Sequence, residues 1–385
     1  MGNLARIPRV DLSAFFSGDD EQGKSAAKET ISRACAEYGF FQVANHGIPL
    51  DLMSRAMELS KTFFGLPDDE KLKNSPRAGA PVPAGYGKQP EQSADKNEYL
   101  MMLPPHNTLN VLPINPPGFR ALNKPNSSVK ARLDLNFIIK RTELKLHFYW
   151  IDDSQAGSTQ HVDTGADLRY PYIKLLFVTR GEIGVSREAL EEMFTYLSRT
   201  GEMMASILND CLGLPPNFLK EYNQDRGWDL MSAKRYFPAT DTENIGISKH
   251  EDSNILTFIF QDEVGGLEVL RNGQWIPVVP SQDTLVVNIG DIIQVMTNNK
   301  FKSATHRVTR PQGRSRYSFS FFYNLRGDKW VEPLPHFTTQ IGEPPKYKGF
   351  LYKDYLALRI RNKTHPPSKP EDEINITHYA ISTNS

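Results

Sequence analysis

Between residues 255 and 323 the chain reads as a series of short apolar strands cut by turns, and nothing else in it constrains the fold as much. Residues 255–260 are apolar and β-rich. Residues 264–269 follow, then a turn at Arg271, Asn272 and Gly273, and a further strand at 275–279. Residues 284–289 end at Gly290 and Asp291. His306 sits inside 304–308, and residues 315–323 close the series. Short strands punctuated by Gly, Asn and Asp predict a double-sheet jelly roll. The fold class expected is α+β, a double-stranded β-helix core with an N-terminal α/β segment and flanking helices.

Chemistry-bearing residues stand at both ends of this series. His250, Glu251 and Asp252 precede it; His306, Arg316, Tyr317 and Ser318 fall near its close. In an extended segment side chains at i and i+2 point the same way, so His250 and Asp252 converge. A helix would turn them roughly 200° apart, at ~3.6 residues per turn. A jelly roll can bring His306 back beside them. Two imidazoles and one carboxylate on one face of a metal form the facial triad of non-haem Fe(II) oxygenases. Arg316 can grip a carboxylate with a two-pronged hydrogen bond. Each member alone is a weak signal, because a lone His beside a strand is usually structural. His161 and Asp163 repeat the His-x-Asp spacing, but no strand series and no Arg-x-Ser follow them, and they read as coincidence.

At these residues the chain resembles the plant-type 2-oxoglutarate- and Fe(II)-dependent dioxygenases, relatives of isopenicillin N synthase. Residues 7–12 resemble that family's opening strand, and residues 36–49 its N-terminal signature. Gly85–Gly87 with residues 95–98 resembles a further landmark. Gly265–Leu267, Asn288–Asp291 and His306–Val308 match the catalytic core. The resemblance covers residues 7–120 and 188–355. It implies that His250, Asp252 and His306 bind Fe(II), with no catalytic residue beyond the metal centre. It implies that Arg316 and Ser318 hold the distal carboxylate of 2-oxoglutarate, with O2 as second co-substrate and ascorbate as reductant. Family members often carry Asn-Tyr-Tyr-Pro where this chain has Arg235, Tyr236, Phe237 and Pro238. Phe237 has no phenol to offer the co-substrate, which leaves Tyr236, whose direction the sequence does not fix. Tyr86, Met101, Phe321 and Tyr323 resemble positions that line substrate sites. Asn45, His46 and Gly47 precede Pro49 and read as a turn, so His46 is structural.

Residues 121–187 break the pattern. Joining Arg120 to Glu188 gives a loop entering a helix with acidic residues in its first turn, as the helix dipole favours. The segment between matches nothing in the resemblance and shows no sustained period; it reads as a non-family insertion. The organisation expected is an N-terminal domain at 7–115, this insertion, a linking helix region at 188–225, a jelly-roll domain at 226–327, and a C-terminal helix and tail at 328–385. Residues 76–87, rich in Pro, Ala and Gly, predict a loop. Leu190, Met193, Phe194, Leu197, Met204 and Ile207 share one helical face, with Gly213 as its stop. Residues 346–361 predict another helix, and 363–373 a surface loop.

Composition bounds the rest. The formal net charge is zero, and no basic stripe argues for nucleic acid or a membrane surface. Two cysteines, Cys35 and Cys211, suggest a reducing compartment. No signal peptide or membrane span is visible. A cytoplasmic monomer is the expectation, and the family resemblance implies that it acts on a small molecule, oxidising it by hydroxylation, desaturation or demethylation in plant specialised metabolism. Two alternatives stay open: an Fe(II) oxidase that does not use 2-oxoglutarate, and a jelly roll inactivated by the 121–187 segment.

Overall fold

The structure is a computed structural model and describes residues 6–80, 82–118, 189–240, 243–364 and 372–382. The 121–187 segment, with His161 and Asp163, lies outside the described residues, as does most of the 363–373 loop.

Local signals set the N-terminal half. Strand β1 (Arg9–Asp11) leads to helix α1 (Glu21–Glu37), whose Asp20 side chain accepts from the Gly23 N–H at 2.8 Å, a Ser/Asp-type cap. Strand β2 (Phe40–Ala44) is buried at every position, as β-branched and aromatic residues are in a central strand. Helices α2 (Leu50–Phe64) and α3 (Asp68–Leu72) follow, then strands β3 (Gly85–Lys88) and β4 (Asn97–Met102). The loop expected over 76–87 therefore ends at Gly85, where pairing with β4 recruits the chain into a sheet.

After the undescribed segment come α4 (Ala189–Leu212) and α5 (Phe218–Tyr222), then β5 (Leu230–Tyr236), β6 (Ile245–His250), β7 (Leu256–Gln261), β8 (Leu267–Arg271), β9 (Gln274–Pro277) and β10 (Thr284–Ile289). Asn272 and Gly273 take φ of 49° and 76° between β8 and β9, the paired positive values that a tight right-twisting hairpin needs. Helix α6 (Asp291–Met296), β11 (His306–Thr309), β12 (Arg316–Tyr323), β13 (Trp330–Val331), β14 (Phe350–Leu351) and α7 (Tyr352–Thr364) complete the order. The C-terminal helix begins at Tyr352 rather than at 346, because Phe350 and Leu351 pair with β13 first.

The strands form an eight-stranded sheet, β1-β2-β10-β7-β12-β5-β4-β3, and a four-stranded sheet, β6-β11-β8-β9. Alternation splits the large sheet cleanly. Leu256, Phe258, Leu285, Val287, Phe319 and Phe321 pack with the buried face of α4 in one core. Phe40, Tyr236, Ile259 and Val286 pack in a second core with Leu267, Val269, Ile276 and Val308 of the small sheet. This is the two-sheet jelly roll expected from sequence.

His46 is structural in the sense expected. Its Nδ1 accepts from the Ile48 N–H at 3.2 Å, and its Nε2 is buried without a partner. Burial pushes its pKa down from 6.5 to about 4. The unfolded chain then takes up a proton that the folded one refuses. The contribution to stability is complete above about pH 6.5 and is lost toward pH 4, at up to about 1.4 kcal/mol per pH unit. Denaturant midpoints measured between pH 7.5 and 4.5 will fall less steeply for His46→Asn than for the unaltered chain. Identical pH profiles would assign the slope to other groups.

Candidate active site

The register of the small sheet builds the site. His250 ends β6, His306 opens β11, and the two are direct cross-strand partners. Their rings stand 4.3 Å apart between centroids. Asp252 follows β6 by two residues and turns back toward both. Its Oδ1 lies 3.6 Å from His250 Nε2 and its Oδ2 3.9 Å from His306 Nε2. The ligand-type atoms of the three residues all lie within 4.8 Å of one another.

Hydrogen bonds decide which atoms face inward. His250 Nδ1 meets the Ser248 carbonyl at 2.8 Å, and His306 Nδ1 meets the Ala304 carbonyl at 3.1 Å. A carbonyl can only accept, so both Nδ1 atoms carry the proton and the lone pair lies on Nε2. Asp252 Oδ2 accepts from Thr257 Oγ1 at 2.6 Å and Asn288 Nδ2 at 2.9 Å. Burial would raise the Asp252 carboxyl, but His306, His250 and these two donors outweigh it and hold it well below the usual carboxylate range. Phe40 packs edge-on against His306 at 5.1 Å. Two Nε2 atoms and one ionised carboxylate are a donor set that fits Fe(II).

Arg316 begins β12 and is fully buried. Its Nε donates to the Gly265 carbonyl, Nη1 to Ser318 Oγ at 3.1 Å and Nη2 to Gln261 Oε1 at 2.9 Å. Tyr236 is its cross-strand partner on β5, and the guanidinium carbon lies 4.6 Å from the centre of the phenol ring. Burial raises the Tyr236 hydroxyl's pKa, against the opposing pull of Arg316 and Ser318, so it stays a neutral donor. Arg316, Ser318 and Tyr236 line one cavity with the triad, of about 60 Å³. The structure thus gives Tyr236 the inward direction that sequence left open.

The four expected pocket residues do not line this cavity. In β12 the even-numbered residues face inward, so Phe321 and Tyr323 point to the helical side. Phe321 packs on Phe194 of α4 at 5.1 Å. A Cβ on Gly201 of α4 would stand 2.4 Å from the Tyr323 ring, which shows how closely that helix approaches. Tyr86 donates to Glu98 Oε2 at 2.6 Å, in a buried cluster that also holds Lys71 and Arg235. Met101 shares the inward face of β4 but pairs with Ser232, and it is not part of the lining. In their place Lys234, Ser320, Phe322, Ile247, Ile259, Leu267 and Val308 form the wall. Lys234 pairs with Ser318 and Tyr99 and was visible in sequence only through its i, i+2 relation to Tyr236.

A cavity between two sheets with this donor set defines a class, the non-haem iron oxygenases. Comparison with known proteins agrees. Residues 228–325 match the family model of the 2OG-Fe(II) oxygenase superfamily, and residues 7–126 match the model of the non-haem dioxygenase in morphine synthesis N-terminal region. The chain belongs to the 2OG-Fe(II) oxygenase superfamily and is a plant-type 2-oxoglutarate- and Fe(II)-dependent oxidoreductase. Gibberellin 20 oxidase 2 of Oryza sativa subsp. indica is 30% identical over 92% of this chain and 76% of its own length. A flavonol synthase/flavanone 3-hydroxylase of Matthiola incana is 28% identical over 92% and 98%. The fold also matches a structure of JOX2 in complex with 2OG, Fe and JA, with TM-score 0.66, 24% identity, and 98% of this chain and 90% of that one covered. Among the described residues, no helix is long and apolar enough to cross a membrane.

Proposed function

We propose that His250, Asp252 and His306 hold Fe(II), and that Arg316, Ser318 and Tyr236 hold the distal carboxylate of 2-oxoglutarate. One observation carries the reading: both groups line a single cavity. When bound, the iron supplies activation of O2 coupled to oxidative decarboxylation of 2-oxoglutarate to succinate. The chain's own residues position and shield. The carbonyls of Ser248 and Ala304 keep Nε2 of each histidine directed inward. Ile247, Ile259, Leu267 and Val308 exclude water from the wall. Tyr236, kept neutral, offers a proton-donating hydroxyl beside Arg316.

The substrate is a small organic metabolite of plant specialised metabolism, oxidised by hydroxylation, desaturation or demethylation. Relatives named for gibberellin and flavonoid oxidation support this class. The chain acts as a cytoplasmic monomer without nucleic acid or membrane as partner. Residues 7–115 and 226–327 form its two family domains, and 121–187 is an insertion between them; the two family-model matches support the flanking domains.

Turnover on a panel of phenolic, flavonoid and terpenoid acids tests the reading. An oxidised product will appear with one succinate per turnover. Product without succinate would overturn the co-substrate assignment.

A further inference from the structure

The residue between the two ligands of His-x-Asp ties the metal loop to the C-terminal helix. Glu251 is that residue. Its carbonyl accepts from Arg359 Nη2 of α7 at 2.6 Å. Its carboxylate accepts from the Thr305 hydroxyl, and Thr305 immediately precedes His306. One side chain therefore links the segments that carry all three ligands. Arg359 is itself buried, at 8% exposure, and its Nη1 donates to the Ile374 carbonyl at 3.2 Å.

A second arm runs from the same helix. Tyr355 lies one turn before Arg359, on the same face. Its hydroxyl donates to Asp291 Oδ2 at 2.6 Å, and the Asp291 N–H donates to the Asp252 carbonyl at 2.8 Å. The two arms thus reach the carbonyls of Glu251 and Asp252, the peptide units on either side of the Asp252 Cα. Holding both carbonyls fixes the Asp252 backbone, and with it the direction of its carboxylate. A ligand set tolerates errors of only about 0.5 Å and 10–20° before affinity suffers. The buried Glu98 carboxylate, by contrast, is taken up by Lys71, Tyr86 and Arg235.

We propose that Arg359, assisted by Tyr355, is a positioning residue for the metal centre: helix α7 braces the 250–252 loop and sets the affinity for Fe(II). The proposal rests on the reading that the triad holds iron. Groups that orient ligands from behind change metal affinity by about 10–100-fold when removed. Simple helix docking would change stability alone, so the two are separable.

The experiment is an anaerobic Fe(II) titration of the full-length chain, with the Tm of the metal-free protein measured in parallel. Arg359→Met keeps the aliphatic bulk and removes the donors. It will bind Fe(II) about tenfold more weakly. Arg359→Lys, which can serve one carbonyl, will recover part of that loss. Tyr355→Phe will weaken binding a fewfold. A lower metal-free Tm with unchanged Fe(II) affinity in Arg359→Met would overturn the brace. If Arg359→Met does not fold, Tyr355→Phe decides in the same way. His306→Ala is the control: unchanged Fe(II) binding there would reject the site itself, whatever Arg359 does.

Discussion

His250→Ala, Asp252→Ala and His306→Ala will each lose Fe(II) binding and turnover together. Each removes one of the three proposed protein ligands, so the loss in Fe(II) affinity should exceed the roughly 100-fold upper end expected for groups behind the ligands. The fold should survive, since both histidines sit at strand ends and their backbone pairing is retained. Asp252→Ala differs from the others in its metal-free form. It strands the Asn288 amide, which now donates to the carboxylate, whereas the Thr257 hydroxyl can still donate to Asn254 Oδ1; leaving one such group without a partner costs about 1–3 kcal/mol. Iron content after anaerobic loading, with Tm of the metal-free proteins, checks both statements. Retention of a full iron equivalent in any one variant would reject the assignment.

Arg316→Ala will raise the 2-oxoglutarate concentration needed for half-maximal turnover by about tenfold or more, as expected for a charge-assisted hydrogen bond worth about 1.5–3 kcal/mol. It will also lower stability, because the Gly265 carbonyl and Gln261 Oε1 lose a buried donor. Arg316→Lys will recover only part of either, since one ammonium cannot serve Gly265, Ser318 and Gln261 together. Titration of 2-oxoglutarate into the Fe(II)-loaded variants gives the direct reading. Unchanged affinity in Arg316→Ala would place the carboxylate elsewhere.

Much of this centre was legible in the sequence because strands transmit simple rules. The strand expected at 284–289 is β10 to the residue. The turn at Arg271–Gly273 closes the β8–β9 hairpin, since Asn and Gly are the residues that accept positive φ there. Arg316 and Ser318 fall on one face by period two. The same rule, carried further along β12, excludes Phe321 and Tyr323 from the cavity and brings in Ser320 and Phe322; the signal was present in the sequence. Tyr236 is different. Its direction depends on the pairing of β5 with β12, Tyr236 opposite Arg316, and no local pattern fixes a register between strands so far apart in the chain. The contacts of Arg359 were equally hidden, because they depend on where a C-terminal helix lands.

The alternation in β12 has a further consequence for how such an enzyme can change. Ser320 and Phe322 shape the wall of the cavity, while Phe319 and Phe321 hold the helical core. Substitution at Ser320 or Phe322 can therefore reshape the wall without touching the helical core, while Arg316 and Ser318 on the same face stay tied by the buried hydrogen bond between them. Cavity wall and helical packing are thus divided between opposite faces of the same eight residues.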